Sequence, residues 1–261
     1  MMDHTFVVLA YKESEHLEAC LQSLMEQTEK SSVLISTSTP SPWLEKTAKE
    51  YGIPCVISPS ATGIANDWNF AVSSVDTEYV TLAHQDDLFH KEYVQYIRKM
   101  AVKYPENTIL FCNYAELFDG KMRKYNLNLI VKRILLLPML LRPILKHKGS
   151  KKWILSLGNP ICCPSVTYHK SCIPDFRFNS TYSINLDWDA WIRIAELQGS
   201  FVYLRKILFY HRIHSLSETS SGLHDNRRQN EDREIFHRLW PSSVARMLSA
   251  LYAIGYKSNK G

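Results

Sequence analysis

Apolar and polar residues alternate along the first half of the chain in short blocks whose period switches between two and three to four. Residues 6–10 form a brief apolar, β-rich run. From Ser14 onward Leu17, Cys20, Leu21 and Leu24 recur at the spacing of one helical face, and Ser14 is placed to cap that helix. Residues 33–36 predict a second strand, 42–51 a helix with proline in its first turn, and 55–57 a third strand. Gly63 opens a helix through Asn69 to Val72, followed by a strand at 79–83, a helix at 91–102 and a strand at 108–112. Strands and helices alternating at these lengths predict an α/β fold with a mostly parallel sheet and helices on both faces. Ligands of such sheets gather beyond the carboxyl ends of the strands. Those ends carry Ala10-Tyr11-Lys12-Glu13, Ser36 to Thr39 and His84-Gln85-Asp86-Asp87.

The second half is less regular. A loop at 158–165 containing two prolines and two cysteines leads to a short strand at 166–168. A helix rich in aromatics and carboxylates is expected over 186–197, stopped by Gly199, followed by two strands at 201–204 and 207–212. A polar helix from about 224 to 239 and a short helix after Pro241 complete the chain.

Charge changes this picture in one place. The 261 residues carry 31 Lys and Arg against 26 Asp and Glu, a net +5 that invites nucleic acid or membrane contact. Ten of the cations (Lys121, Arg123, Lys124, Lys132, Arg133, Arg142, Lys146, Lys148, Lys151 and Lys152) fall in one stretch without an acid, and the rest of the chain is acidic. They lie among leucines rather than base-stacking aromatics, which argues against nucleic acid. The six cysteines form no CxxC pair and no metal-binding spacing, so a reduced, cytoplasmic protein is expected. No apolar run reaches the roughly 20 residues a bilayer-spanning helix needs.

Three groups of residues can carry chemistry. Asp86 and Asp87 follow an apolar strand, and a hard divalent cation would relieve the repulsion between adjacent carboxylates while bridging to phosphate oxygens. His84 can join as a ligand for Mn²⁺. The other reading is a solvated Asp-Asp turn capping the helix near His90. Asp187-Trp188-Asp189-Ala190-Trp191 opens a helix, where carboxylates are favoured by the dipole. Alternatively Asp187 is a general base and the tryptophans form an apolar wall for a sugar, although Trp191 alone reads as core. In Tyr210-His211-Arg212-Ile213-His214, Arg212 and His214 project to one face; the arginine suits a diphosphate and the histidine a metal.

These motifs, in this order over about residues 5–217, resemble the family 2 nucleotide-sugar glycosyltransferases of the GT-A fold. The resemblance implies nucleotide-sugar contacts at Ala10, Tyr11, Glu13, Ser36, Thr37, Asn69, Gln85, Asp86, Asp87 and Arg212. It implies Mn²⁺ or Mg²⁺ at Asp86, His84 and His214, with Asp187 deprotonating the acceptor hydroxyl in an inverting transfer. A nucleotide-sugar donor and a glycan or polyprenyl-linked acceptor would be the partners, as in surface polysaccharide or lipid-linked oligosaccharide synthesis. On this view residues 1–115 are the nucleotide-sugar-binding half, 116–157 a basic apolar helical insertion, 158–220 the acceptor and catalytic half, and 221–261 C-terminal helices. Four places depart from the family pattern, one of them Trp68, where an Arg often precedes the helix Asn. His84 stands for the first Asp of Asp-x-Asp, Leu186 for the Glu before the catalytic Asp, and the turn after the second strand reads Ser-Thr-Ser-Thr-Pro instead of Asp-Gly-Ser. A catalytically silent relative that binds membrane or a partner enzyme is therefore the second reading.

Residues 125–146 combine a dense apolar face with cationic flanks. The alternatives are a core helix pair with its lysines in water and a segment lying on an anionic membrane surface. Coincidence of charge and apolarity without an acid favours the membrane, on the inner face of the cell membrane.

Overall fold

The structure is a computed structural model that describes residues 3–59, 63–213 and 227–258. Its first half follows the pattern read from the sequence: β1 (His4–Ala10), α1 (Leu17–Met25), β2 (Ser32–Thr37), α2 (Pro42–Glu50), β3 (Cys55–Ile57), α3 (Ile64–Ser73), β4 (Tyr79–His84), β5 (Leu88–Phe89), α4 (Tyr93–Lys103) and β6 (Asn107–Phe118). The insertion holds β7 (Lys121–Arg123), α5 (Leu127–Leu135), α6 (Leu137–Leu141), β8 (Ile144–Leu145) and α7 (Lys148–Leu155). Then come β9 (Val166–His169), α8 (Leu186–Ala195), β10 (Ser200–Ile213), α9 (Arg227–Leu239) and α10 (Ser242–Ser258).

One ten-stranded sheet runs in the order β3-β2-β1-β4-β9-β6-β10-β5, with β7 added to β6 and β8 to β10. Its long pairings, β1 with β2 and β4 and β6 with β10, are parallel, and the antiparallel ones span two or three residues each. The two-residue period of β1 divides the core. Phe6, Val8 and Ala10 pack with Leu17, Leu21, Leu44, Tyr93 and Ile97 on one face. Val7 packs on the other with Leu82, Trp188, Trp191, Ile154 and Phe236.

Four local expectations change. Ser14 does not cap α1; His16 takes the cap position without a side-chain bond, while the Ser14 hydroxyl accepts from the His16 N–H at 3.3 Å. The predicted strands at 201–204 and 207–212 are one strand, because the ladder to β6 continues past the exposed Arg205 and Lys206 through a shift in register. Strand 108–112 likewise extends to Phe118, where β7 pairs with it. The last helix, expected to be short, has 17 residues.

Gly199 ends α8 as its sequence position suggests, and its conformation explains why only glycine serves. Its φ is +98°, and a Cβ there would lie 2.8 Å from the Glu106 carbonyl oxygen and 2.9 Å from Thr108 Cγ2. The fully buried Lys151 donates to the carbonyls of Leu197 (2.8 Å) and Gly199 (3.0 Å), satisfying the same helix end. Gly199→Ala is expected to cost at least about 1–2 kcal/mol from backbone conformation alone. A lowered urea midpoint with an unchanged m value would read this out.

Candidate active site

The carboxyl ends of β1, β2 and β4 meet at one edge of the sheet. The chain leaves β1 at Ala10, which is buried, and turns at Lys12, whose φ of +57° is left-handed. Two side chains hold this turn. Gln85 brackets Tyr11, accepting from its N–H at 3.1 Å and donating to its carbonyl at 2.8 Å, and the Thr39 hydroxyl accepts from the Lys12 N–H at 2.6 Å. Tyr11 and Glu13 are left exposed beside this edge. Ser36 and Thr37 are buried, and the Thr37 hydroxyl accepts from the Thr39 N–H at 3.0 Å, so their part is to shape the turn. The half-buried Ser38 of that turn donates from its hydroxyl to Asp67 Oδ2 at 2.9 Å.

Asp86 and Asp87 divide their work. Asp87 is fully buried; its Oδ1 accepts from the Arg212 N–H at 2.8 Å and stands 3.0 Å from His211 Nδ1. Burial is the largest influence on His211 and disfavours its cation, but the Asp87 charge, the hydrogen bond to Asp87 and the Asp86 charge together outweigh it and lift the imidazole above its ordinary pKa. Arg212 turns back and donates from Nε to the Asp86 carbonyl at 2.8 Å. Strand β10 is thereby fastened to the acidic loop, and the Asp-Asp turn is more than a solvated cap.

His84, Asp86 and Asp87 offer ligand atoms that all lie within 4.8 Å of one another. His84 Nε2 and Asp87 Oδ2 are both buried without a hydrogen-bond partner, which is costly unless something else satisfies them. One imidazole nitrogen and two carboxylates suit Mn²⁺ or Mg²⁺, so the residues fit such an ion. His214, expected as a further ligand, lies outside the described residues.

Asp187 stands in the first turn of α8, across from this cluster in sequence and element. Its Oδ2 accepts from Asn159 Nδ2 at 2.8 Å and its Oδ1 from the Trp188 N–H at 2.7 Å. Burial raises its carboxyl pKa, opposed by the Lys132 ammonium and by these two hydrogen bonds. The tryptophans form no sugar wall. Trp188 and Trp191 are fully buried, Trp188 donating to the Leu155 carbonyl at 3.0 Å and Trp191 stacking on Tyr168 with centroids 5.8 Å apart. Both belong to the core face of α8. Asp189 is buried against Arg238 at 2.7 Å and is likewise structural.

Asn69 also differs from expectation. Its amide donates to the Phe178 carbonyl at 3.0 Å and accepts from the Phe178 N–H at 2.7 Å, so it braces α3 against the loop before α8 rather than facing a nucleotide. Sequence reasoning missed three contributors. Glu231 on α9 accepts from Ser183 N and Oγ, Ile184 N and Asn185 N at 2.7–3.0 Å, capping α8 from a distant helix where Asn185 makes no side-chain cap. Asn159 and Asp67 are the other two. No local spacing marks Glu231 or Asn159; Asp67 had a weak signal as a carboxylate in the first turn of α3.

The insertion does not present all its cations to solvent. Lys132 is half-buried with its Nζ 5.3 Å from the centre of the Tyr114 ring, and Arg133 donates to Asn113 Oδ1 and to the Tyr114 carbonyl. Lys151 is buried and Lys152 pairs with Glu196. The outward face instead carries apolar residues, among them Leu141 at 88% exposure.

Comparison with known proteins agrees with this fold. The family model described as Glycosyl transferase family 2 matches residues 5–172. Residues 1–349 of S. aureus TarS in complex with UDP-GlcNAc superpose with a TM-score of 0.66 at 14% identity, covering 96% of this chain and 71% of that one. The Pyrobaculum calidifontis mannosyltransferase PcManGT, in complex with GDP-Man and Mn²⁺, gives 0.60 at 12% identity, covering 99% and 75%. A longer S. aureus TarS chain gives 0.64 at 12% identity, and this chain spans 42% of its length. No curated protein matches the chain. These likenesses show a shared GT-A fold.

The cluster at the end of β4 predicts a measurable ion site. Calorimetric titration with Mn²⁺ is expected to show one saturable site that Asp86→Asn removes and His84→Phe weakens by about tenfold, the usual scale for loss of one interaction at a ligand site. Equal binding by all three proteins would exclude these ligands.

Proposed function

The chain belongs to glycosyl transferase family 2, and we propose that it moves a hexose-type sugar from a nucleotide diphosphate donor to an acceptor hydroxyl with inversion. The observation that carries this reading is that two carboxylate sites are built on different elements. His84, Asp86 and Asp87 end β4, while Asp187 opens α8 under Asn159. In an in-line displacement the nucleophile and the leaving group lie on opposite sides of the anomeric carbon, so base and diphosphate holders must come from separate elements.

Asp187, held in place by Asn159, takes the acceptor hydroxyl proton. The new carbon–oxygen bond forms as the bond to the diphosphate breaks, and the diphosphate leaves with the electron pair. Arg212, anchored on the Asp86 carbonyl, directs its guanidinium charge to diphosphate oxygens. A divalent ion on His84, Asp86 and Asp87 would offset the negative charge of the leaving group. The turn of Tyr11, Glu13 and Gln85, with Ser36 to Thr39 behind it, forms the nucleotide side. Without an Asp in the second-strand turn, base contacts fall to hydroxyls, with Asp67 behind Ser38.

The acceptor is a glycan or polyprenyl-linked saccharide reached at an anionic membrane face, and residues 116–157 are the docking insertion. Ile134, Leu135, Leu137, Pro138, Leu141, Trp153 and Leu157 line an apolar groove of about 370 Å³. Arg142, Lys146 and Lys148 are exposed in the same segment, and no helix among the described residues is long and apolar enough to cross a membrane. Peripheral binding thus rests on apolar insertion plus cations, worth about 1 kcal/mol each near an anionic surface. Because Lys132 and Arg133 turn inward, they do not belong to this set.

Asp187→Asn is expected to abolish transfer while UDP, GDP or dTDP with Mn²⁺ still binds in a calorimeter. Normal turnover would reject Asp187 as the base, and failure of the parent protein to bind any of the three would favour the silent relative. Since burial raises the Asp187 carboxyl and only its ionised form accepts a proton, kcat/KM should fall with decreasing pH through a value above the ordinary carboxylate range. For the surface, Leu141→Asp with Trp153→Asp is expected to release the protein from sedimenting phosphatidylglycerol vesicles; undiminished sedimentation would sink the membrane assignment.

A further inference from the structure

The helices of the insertion sort their apolar side chains inward and outward. Leu136, between α5 and α6, and Met139 are buried in the core, while Leu137 and Leu141, four apart on α6, face out. On α7 Ile154 and Leu155 are buried and the adjacent Trp153 is exposed. The outward set meets in the groove of about 370 Å³, whose lining is apolar throughout. A flat membrane contact needs only protruding residues. A concave apolar groove has no polar group to hold ordered water, so it favours an apolar guest. A dry cavity of about 150 Å³ takes one benzene, and scaling by volume gives this groove room for about a dozen carbons, the size of one aliphatic chain.

Its position points to the molecule that carries the chain. Leu135, on the groove wall, packs over Gly158, where a Cβ would lie 3.4 Å from Leu135 Cδ1. Leu157 lines the groove, and Asn159 donates to Asp187 Oδ2 at 2.8 Å. Successive Cα atoms are about 3.8 Å apart, so the groove wall and the support of Asp187 are separated by at most about 7.6 Å of backbone. One end of a chain seated here is therefore close to Asp187. The charge around the groove agrees. Residues 120–174 and 242–258 contain no acid, and Glu196, which approaches from α8, pairs with Lys152. Arg142, next to the groove residue Leu141, is exposed, as are Lys146 and Lys148. These surroundings suit the phosphate of an anionic lipid.

We propose that the groove binds the aliphatic chain of a lipid-linked acceptor and so brings the acceptor sugar to Asp187. The inference rests on the glycosyltransferase reading, and it adds to membrane docking a saturable site for a single chain.

Calorimetric titration with butyl, octyl and dodecyl phosphate, below their micelle concentrations, tests the site directly. Affinity of the parent chain is expected to rise with chain length, by up to about fourfold for each methylene buried. Ile134→Trp fills the groove with a larger apolar residue and Leu157→Gln makes its wall polar; both positions are exposed, so the core is left intact. Each variant is expected to weaken dodecyl phosphate binding by about tenfold or more, with a smaller change for butyl phosphate. Ile134→Trp is expected to keep sedimenting with phosphatidylglycerol vesicles. With the nucleotide sugar that the parent hydrolyses, it should raise the KM ratio of decyl to methyl glycoside acceptors about tenfold. The proposal is overturned if parent affinity does not depend on chain length, if both variants bind dodecyl phosphate like the parent, or if the KM ratio is unchanged. Loss of vesicle sedimentation in step with chain binding in Ile134→Trp would also overturn it, since the groove is then a bilayer contact and not an acceptor site. Failure of the parent to turn over any nucleotide sugar would count against the glycosyltransferase reading, and the alkyl phosphate titrations would then judge the groove alone.

Discussion

A carboxylate with no exposure to water sits where the sheet meets its ligand edge, and the candidate site is organised around neutralising it. Asp87 cannot remain charged there without partners. It takes them from β10, through the Arg212 N–H and the His211 imidazole, although Asp87 and β10 lie more than a hundred residues apart. That pairing sets the depth of the loop at the end of β4, leaves Asp86 only partly covered, and brings the Arg212 guanidinium back onto the same loop. Asp87 Oδ2 remains buried and unpartnered, in a residue whose ligand atoms group with those of His84 and Asp86. One buried charge thus does two jobs, closing the sheet between early and late strands and leaving an unmet demand that a cation can fill.

Much of the fold was legible because its elements are local. The alternation of β1, the three-to-four spacing of α1 and the glycine after α8 each state their structure within a few residues, since pleat, helix face and left-handed turn are short-range properties. The errors arise where a distant partner decides. Arg205 and Lys206 looked like a break between two strands, yet the ladder with β6 carries the chain across them. Trp188 and Trp191 looked like a binding wall because the sequence does not record which face of α8 meets the sheet. Asn69 was drawn to the nucleotide by its position in a motif, whereas a loop 109 residues away claims its amide. The carboxylates were legible as candidates because adjacent acids at the end of an apolar strand and in the first turn of a helix are marked by local spacing alone. Their supports, Asn159 and Glu231, were not, because an amide or a glutamate acquires its meaning only from the backbone it reaches.

The basic segment shows the same limit in its charges. As a string, its ten cations and no acids read as a single band. In three dimensions they separate into at least two populations. Lys151 and Lys152 serve the C-terminal end of α8, where carbonyls gather partial negative charge. Arg142, Lys146 and Lys148 stay in water near an apolar groove. Net charge is a sum over these destinations, and only the outward group bears on a surface partner.

Lys132, which turns inward together with Arg133, links that segment to Asp187. Burial strengthens a carboxylate as a base by disfavouring its ionised form, but the same burial shrinks the fraction ionised and ready to act. If Asp187 serves as the base proposed above, it needs a compensating charge near enough to be felt and too distant to form a fixed ion pair, which would hold the carboxylate away from the acceptor. Lys132 meets both conditions: its charge opposes the effect of burial on Asp187, yet its side chain lies against Tyr114 and is not among the hydrogen-bond partners of Asp187. The acidic body and the cationic insertion, which look like separate pieces in the sequence, are thus joined electrostatically at Lys132 as well as at the Lys152–Glu196 pair.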